Sequence, residues 1–124
     1  MWAVPMALGF VLSFGALSSS TEDLVRERIG ASAVVVFGAS YCPFCRRVEE
    51  SFGAAGLEHT SYDIGSAERA ALRRLTGQRT IPYVYVRGRF VGGCNDGPEP
   101  WMGALPLLQS GELQRMLLRS DEPS

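Results

Sequence analysis

The chain has 124 residues, which is enough for one domain and excludes a two-domain enzyme with a large substrate lobe. It is 46% hydrophobic and 20% charged, so it can bury a core and is not globally disordered. The net charge of −1 carries no basic excess for nucleic acid, and all 12 basic residues are arginine, which excludes chemistry that needs a lysine amine.

Residues 1–20 run apolar from Trp2 to Leu17 and then close on three serines. This run is short for a membrane-spanning helix, which needs about 20 residues, and it suits a signal-peptide core with a small-residue cleavage site at Ala16-x-Ser18. No arginine precedes it, so an apolar N-terminal helix docked on the domain stays open beside the targeting reading. Targeting favours the secretory pathway or endomembranes, with a cytoplasmic location as the alternative. Membrane contact is expected only through residues 1–20.

The domain is expected over 21–120, followed by a tail at 121–124. Thr21-Glu22-Asp23 caps a first helix that Gly30 stops. Val34 to Phe37 is a continuous apolar, β-branched run, as a buried central strand requires. Gly38 to Tyr41 reads as a turn, and Arg46 to Ala55 as a helix with Val48 and Phe52 inward. Leu57 to Ile64 reads as a second strand. Ser66 to Thr76 alternates Ala67, Ala70, Ala71, Leu72 and Leu75 with Glu68, Arg69, Arg73 and Arg74, which predicts a helix ended by Gly77. Tyr83 to Val86 and Phe90-Val91 form a hairpin through Arg87-Gly88-Arg89, and Leu113 to Leu118 belongs to a terminal helix that starts near Leu105. The order α-β-α-β-α-β-β-α predicts a mixed sheet covered by helices.

There are three cysteines, Cys42, Cys45 and Cys94, too few for a disulfide-stapled scaffold. Cys42 and Cys45 are spaced C-x-x-C with no second pair, which is poor for zinc and its four ligands. His59, the single histidine, lies in a polar stretch and reads as a surface residue. Cys42 falls where a strand gives way to a helix. Unpaired N–H groups and the helix dipole there favour thiolate over thiol, and Arg46 and Arg47 add positive charge one turn on. A thiolate is the species that attacks a disulfide sulfur. Cys45, three residues later, is placed to resolve the resulting mixed disulfide, and Pro43 suits the first helical position.

Ser40-Tyr41-Cys42-Pro43-Phe44-Cys45, then Thr76-Gly77-Gln78-Arg79-Thr80-Ile81-Pro82, then Gly92-Gly93-Cys94-Asn95-Asp96 resemble a dithiol glutaredoxin of the thioredoxin-fold superfamily. The resemblance spans about Thr21 to Leu118. It implies a thioredoxin-like α/β fold, a central four-stranded mixed sheet flanked by helices. It also implies a glutathione-dependent thiol–disulfide oxidoreductase that acts as a monomer, with glutathione as co-substrate and no metal. Its partners would be glutathionylated or disulfide-bearing proteins. Cys42 would be the nucleophile and Cys45 the resolving thiol. Tyr41 and Phe44 would flank them, and Pro82 would be a cis-proline setting the backbone of Ile81 beside Cys42. Gln78 and Arg79 would meet the glycine end of glutathione, and Thr80, Ile81 and Pro82 would form the glutathione-binding loop. Gly93 would let glutathione approach the backbone closely, and Cys94, Asn95 and Asp96 would take its γ-glutamyl end, with Asp96 facing the ammonium.

The chain departs from the family pattern in two places. Relatives carry lysine three residues before the nucleophile, where this chain has Ala39, so the glycine carboxylate should rest more heavily on Arg79. Residues 97–106, with three prolines, lengthen the link to the last helix. There Trp101 and Met102 either pack on the core or face a partner. Two alternatives remain: a carrier of a [2Fe–2S] cluster ligated by Cys42 and glutathione, and a membrane-anchored or lumenal redox adaptor docking through residues 98–106. Pro43 argues against the cluster, because relatives that hold one often have a small residue there.

Overall fold

The structure, a computed structural model, describes residues 20–119. The targeting reading of the N-terminal segment and the tail at 121–124 lie outside the described residues.

Five helices and four strands follow in the order α1 (Thr21–Ile29), β1 (Val34–Gly38), α2 (Pro43–Ala54), β2 (Thr60–Asp63), α3 (Ser66–Thr76), β3 (Tyr83–Val86), β4 (Arg89–Gly92), α4 (Ala104–Ser110) and α5 (Glu112–Leu118). The strands form one sheet ordered β2-β1-β3-β4. The β1–β2 pair is parallel, whereas β1–β3 and β3–β4 are antiparallel. This is the mixed four-stranded sheet of the thioredoxin-like class.

Strand β1 is buried along its whole length, and its side chains alternate between two cores. Val34 and Val36 join Val48 and Phe52 of α2 and Leu107, Leu113 and Met116 of α4 and α5. Val35 and Phe37 join Val25 of α1 and Ala71 and Leu72 of α3 on the opposite face. One apolar strand therefore fixes both helix layers, and its C-terminal end delivers the chain to the cysteine pair.

Several boundaries differ from expectation. Ser20, not Thr21, caps α1: its hydroxyl accepts from the Asp23 N–H, and the Asp23 carboxylate accepts from the Ser20 N–H, both at 3.2 Å. Helix α2 starts at Pro43 rather than Arg46, so both residues between the cysteines are helical. Strand β2 is confined to Thr60–Asp63. The single terminal helix is two, because Gly111 takes φ +85° between them, a left-handed conformation that ends a helix.

His59 is half-buried rather than free on the surface. Its ring stands edge-on to Phe52 with centroids 5.5 Å apart. Its Nδ1 lies 3.1 Å from the Leu57 carbonyl and its Nε2 3.2 Å from the Glu49 carboxylate. It ties the start of β2 to α2.

Residues 97–102 leave the sheet after β4 and return at once. Three hydrogen bonds join the two sides of this excursion: Gly103 N–H to Val91 O at 2.9 Å, Ala104 N–H to Gly93 O at 2.8 Å, and Leu105 N–H to Cys94 O at 2.9 Å. Met102 packs inward at 3% exposure, whereas Trp101 is 51% exposed. Packing therefore accounts for only one of this pair.

Candidate active site

Cys42 is the N-cap of α2, in the extended backbone region (φ −90°, ψ 117°), with Pro43 at the first helical position. Its Sγ accepts the N–H of Cys45 at 3.2 Å, so an otherwise unpaired helix donor points at the sulfur. A thiolate is a stronger acceptor for that N–H than a thiol. Both sulfurs are reduced and largely enclosed, Cys42 at 7% exposure and Cys45 at 2%. Burial, then the hydrogen bond to Cys42 and the proximity of its charge, push the Cys45 thiol up to about 12. The two cysteines are therefore unequal: one sulfur sits at the helix end, and the other is held protonated behind it.

Ala39, Cys42 and Cys45 form a small apolar cluster against Ile81. The Ile81–Pro82 bond is cis. The loop carrying it is fastened from three sides. The Gln78 amide donates to Thr80 O at 2.7 Å and to Pro82 O at 2.9 Å, the Tyr83 hydroxyl donates to Gln78 O at 2.6 Å, and Gln78 N–H reaches Thr76 Oγ1 at 3.1 Å. Gly93 completes the packing. A Cβ built there would sit 3.3 Å from Pro82 O and 3.4 Å from the Gln78 amide nitrogen, so any side chain at residue 93 would press the two loops a few tenths of an ångström apart.

Above these elements lies a groove of about 580 Å³. The structure brings Tyr41, Cys42, Phe44, Gln78, Thr80, Ile81, Gly93, Cys94, Asn95 and Asp96 to its walls. Cys45 and Pro82 lie buried outside the lining. Burial is also the main influence on Cys94, whose thiol is raised against the opposing charge of Arg47. The Arg47 guanidinium stands 5.6 Å from the Phe44 ring centroid.

Two expected residues are placed differently. Arg79 does not line the groove; it borders a separate recess with Ser66, Arg69, Ala70, Arg73 and Tyr83. Gln78 lines it, but both hydrogens of its amide are committed to Thr80 and Pro82, so it serves as a brace for the loop. Ala39 is enclosed against the cysteines. The groove is lined instead by Arg69 of α3, whose helical spacing predicts an outward-facing residue. Periodicity shows that Arg69 faces away from the core, but only the packing of α3 beside the 78–82 loop turns that direction toward the groove.

A helix-capped sulfur, a protonated thiol behind it, and a groove lined by both Arg69 and Asp96 suit thiol–disulfide exchange on a charged peptide-like ligand. Residues 34–91 match the family model described as Glutaredoxin. The chain is 42% identical over 79 residues to the chloroplastic glutaredoxin-C4 of Oryza sativa subsp. japonica, covering 60% of this chain and 59% of that protein. It is 31% identical over 122 residues to glutaredoxin-C8 of the same plant, covering 93% of this chain and 85% of that one. The buckwheat glutaredoxin–glutathione complex superposes with a TM-score of 0.70 at 28% identity, over 84% of this chain and 93% of that chain. The chain belongs to the glutaredoxin family of glutathione-dependent thiol–disulfide oxidoreductases.

Proposed function

We propose that the protein reduces protein–glutathione mixed disulfides by a Cys42 thiolate route, and protein disulfides when Cys45 joins in. The observation that carries this reading is the Cys42 sulfur, capped by the Cys45 N–H at 3.2 Å and set on the wall of the groove. The solved complex between glutathione and the buckwheat relative supports glutathione as the groove's ligand. Arg69 faces its glycine carboxylate and Asp96 its γ-glutamyl ammonium, and the Ile81 backbone pairs with its cysteinyl unit as an added strand would.

In the first step the Cys42 thiolate attacks the glutathione sulfur of the mixed disulfide. The protein thiolate leaves, and a Cys42–glutathione disulfide remains. A second glutathione thiolate then attacks the glutathione sulfur, which releases oxidised glutathione and regenerates Cys42. On a protein disulfide the Cys42 thiolate attacks one sulfur and the first substrate thiolate leaves; Cys45 then attacks Cys42 Sγ, the second substrate thiolate leaves, and two glutathiones return the Cys42–Cys45 disulfide to the dithiol as oxidised glutathione forms. Part of what holds Cys45 protonated is the adjacent Cys42 sulfur. That part disappears once Cys42 enters a mixed disulfide, so formation of the intermediate itself eases the resolving thiol toward attack.

Cys42→Ser should abolish glutathione-coupled reduction of a small mixed disulfide of glutathione. Cys45→Ser should retain it and lose reduction of protein disulfides. Full turnover by Cys42→Ser would refute the assignment. The comparisons favour neither the cluster-carrier nor the redox-adaptor alternative.

A further inference from the structure

The recess beside the groove is bordered by Arg69, Arg73 and Arg79, with buried Tyr83 at its base. Its volume is about 310 Å³. Arg69 and Arg73 stand one turn apart on one face of α3, where like charges destabilise a helix. Arg79 brings a third guanidinium from the following loop. Among the described residues none of the three forms an ion pair.

Acids are not lacking nearby, but they are spent elsewhere. Glu68 of α3 pairs with Arg28 of α1 at 3.9 Å, and Glu22 of α1 pairs with Arg74 of α3 at 3.7 Å. The α1–α3 seam is thus charge-balanced, while the opposite margin of α3 is uncompensated. Repulsion maintained without an internal partner points to an external anion. The arginine fork matches carboxylates in particular.

The position of the recess narrows the occupant. Arg69 borders both the recess and the groove, so the two form a continuous surface. A partner whose mixed disulfide sits at Cys42 must lay its flanking chain over one rim of the groove. We propose that the Arg69–Arg73–Arg79 rim binds an acidic segment of the protein half of the mixed disulfide, and so selects among glutathionylated proteins by the charge beside their cysteine. This rests on the glutathione-dependent reading above for its turnover readout.

The test uses Arg73→Glu, since Arg73 borders the recess and not the groove. Two matched peptides, with glutamates or glutamines beside one cysteine, are glutathionylated and turned over. A cysteine-free, fluorescently labelled glutamate peptide is titrated directly for binding. Wild type should turn over the glutamate peptide with a kcat/KM roughly fivefold above that of the glutamine peptide, and the preference should fade with added salt. Arg73→Glu should remove the preference and the direct binding, while its turnover of a small-thiol mixed disulfide of glutathione stays at the wild-type level. Equal turnover of the two peptides by wild type, or a preference that survives in Arg73→Glu, would overturn the proposal. So would displacement of the labelled peptide by inorganic phosphate at matched ionic strength, which would mark a small-anion site. If wild type fails on the small mixed disulfide, the functional reading fails; the binding titration still decides for or against the acidic-segment site.

Discussion

Gly38 closes β1 with a backbone that any residue can adopt, so only space explains the glycine. A Cβ built on it lies 2.6 Å from Cys45 Sγ, 3.1 Å from Cys45 Cβ and 3.9 Å from Pro82 Cβ. Nonbonded heavy atoms prefer roughly 3.5–4.0 Å, so in Gly38→Ala the Cys45 sulfur must retreat by about 1 Å. Overpacking of this kind costs about 1–3 kcal/mol. In a domain of this size that lowers Tm by roughly 5–20 °C. The retreat also spoils the alignment of Cys45 with Cys42. Reduction of a protein disulfide should then fall on the order of 100-fold, as an error of about 1 Å in a positioned group can cost. Turnover of a small glutathione mixed disulfide, which needs Cys42 alone, should fall far less. Urea unfolding of Gly38→Ala, Cys45→Ala and the double variant supplies the decisive measurement. Cys45→Ala removes the sulfur and leaves only the 3.1 Å carbon contact, so the double variant should regain at least about 1 kcal/mol relative to additivity. A cost for Gly38→Ala below about 0.5 kcal/mol, or an additive cycle, would refute the steric reasoning.

Arg69→Ala should raise the KM for a glutathione mixed disulfide by roughly fivefold with little change in kcat, while Arg79→Ala changes it by less than about twofold; equal effects would return the carboxylate to Arg79. Cys45 ionises near 9.0 when unfolded and at about 12 when folded. The stability it contributes is therefore complete below pH 9 and is lost as pH rises toward 12. Wild type should lose unfolding free energy more steeply than Cys45→Ser between these limits, with the tyrosines common to both; parallel profiles would contradict the assignment. His59→Ala removes the Phe52 contact and leaves the Leu57 carbonyl without its ring partner, so it should cost about 1–3 kcal/mol in chemical denaturation and leave the KM for glutathione unchanged.

The strands and the cysteine pair were legible because their signals are local. Val34 to Phe37 has no plausible place except between two cores, and a C-x-x-C placed after such a strand puts its first sulfur at a helix end. What escaped depends on packing between segments distant in sequence. Glu58-His59-Thr60 reads as polar surface until Phe52 of α2 arrives beneath the ring. Arg69 and Arg79 are equivalent as letters, and the path of the 77–82 loop decides which of them meets the groove. Gln78 carries donors that suit a carboxylate, yet the carbonyls of Thr80 and Pro82 take both. The break at Gly111 was hidden because Leu105 to Leu118 keeps one amphipathic pattern across it. Trp101 and Met102 are adjacent and similarly apolar, and no pattern of single residues divides them between solvent and core.

The paired margins of residues 97–102 make this excursion a cassette. Hydrogen bonds from Gly103, Ala104 and Leu105 hold its return to Val91, Gly93 and Cys94, and Asn95 and Asp96, which lie between Cys94 and the segment, are fixed by a turn of their own, the Gly93 N–H donating to Asp96 O at 2.7 Å. Gly97 and Gly103 lock the corners, since a Cβ at either would run into backbone within 3 Å. Between those corners, lengthening costs only loop-closure entropy, about 0.6 kcal/mol for each doubling. Lineages can therefore rewrite Pro98 to Trp101 freely, and a protein engineer can graft an epitope or a reporter there, with Asp96 held by its own turn.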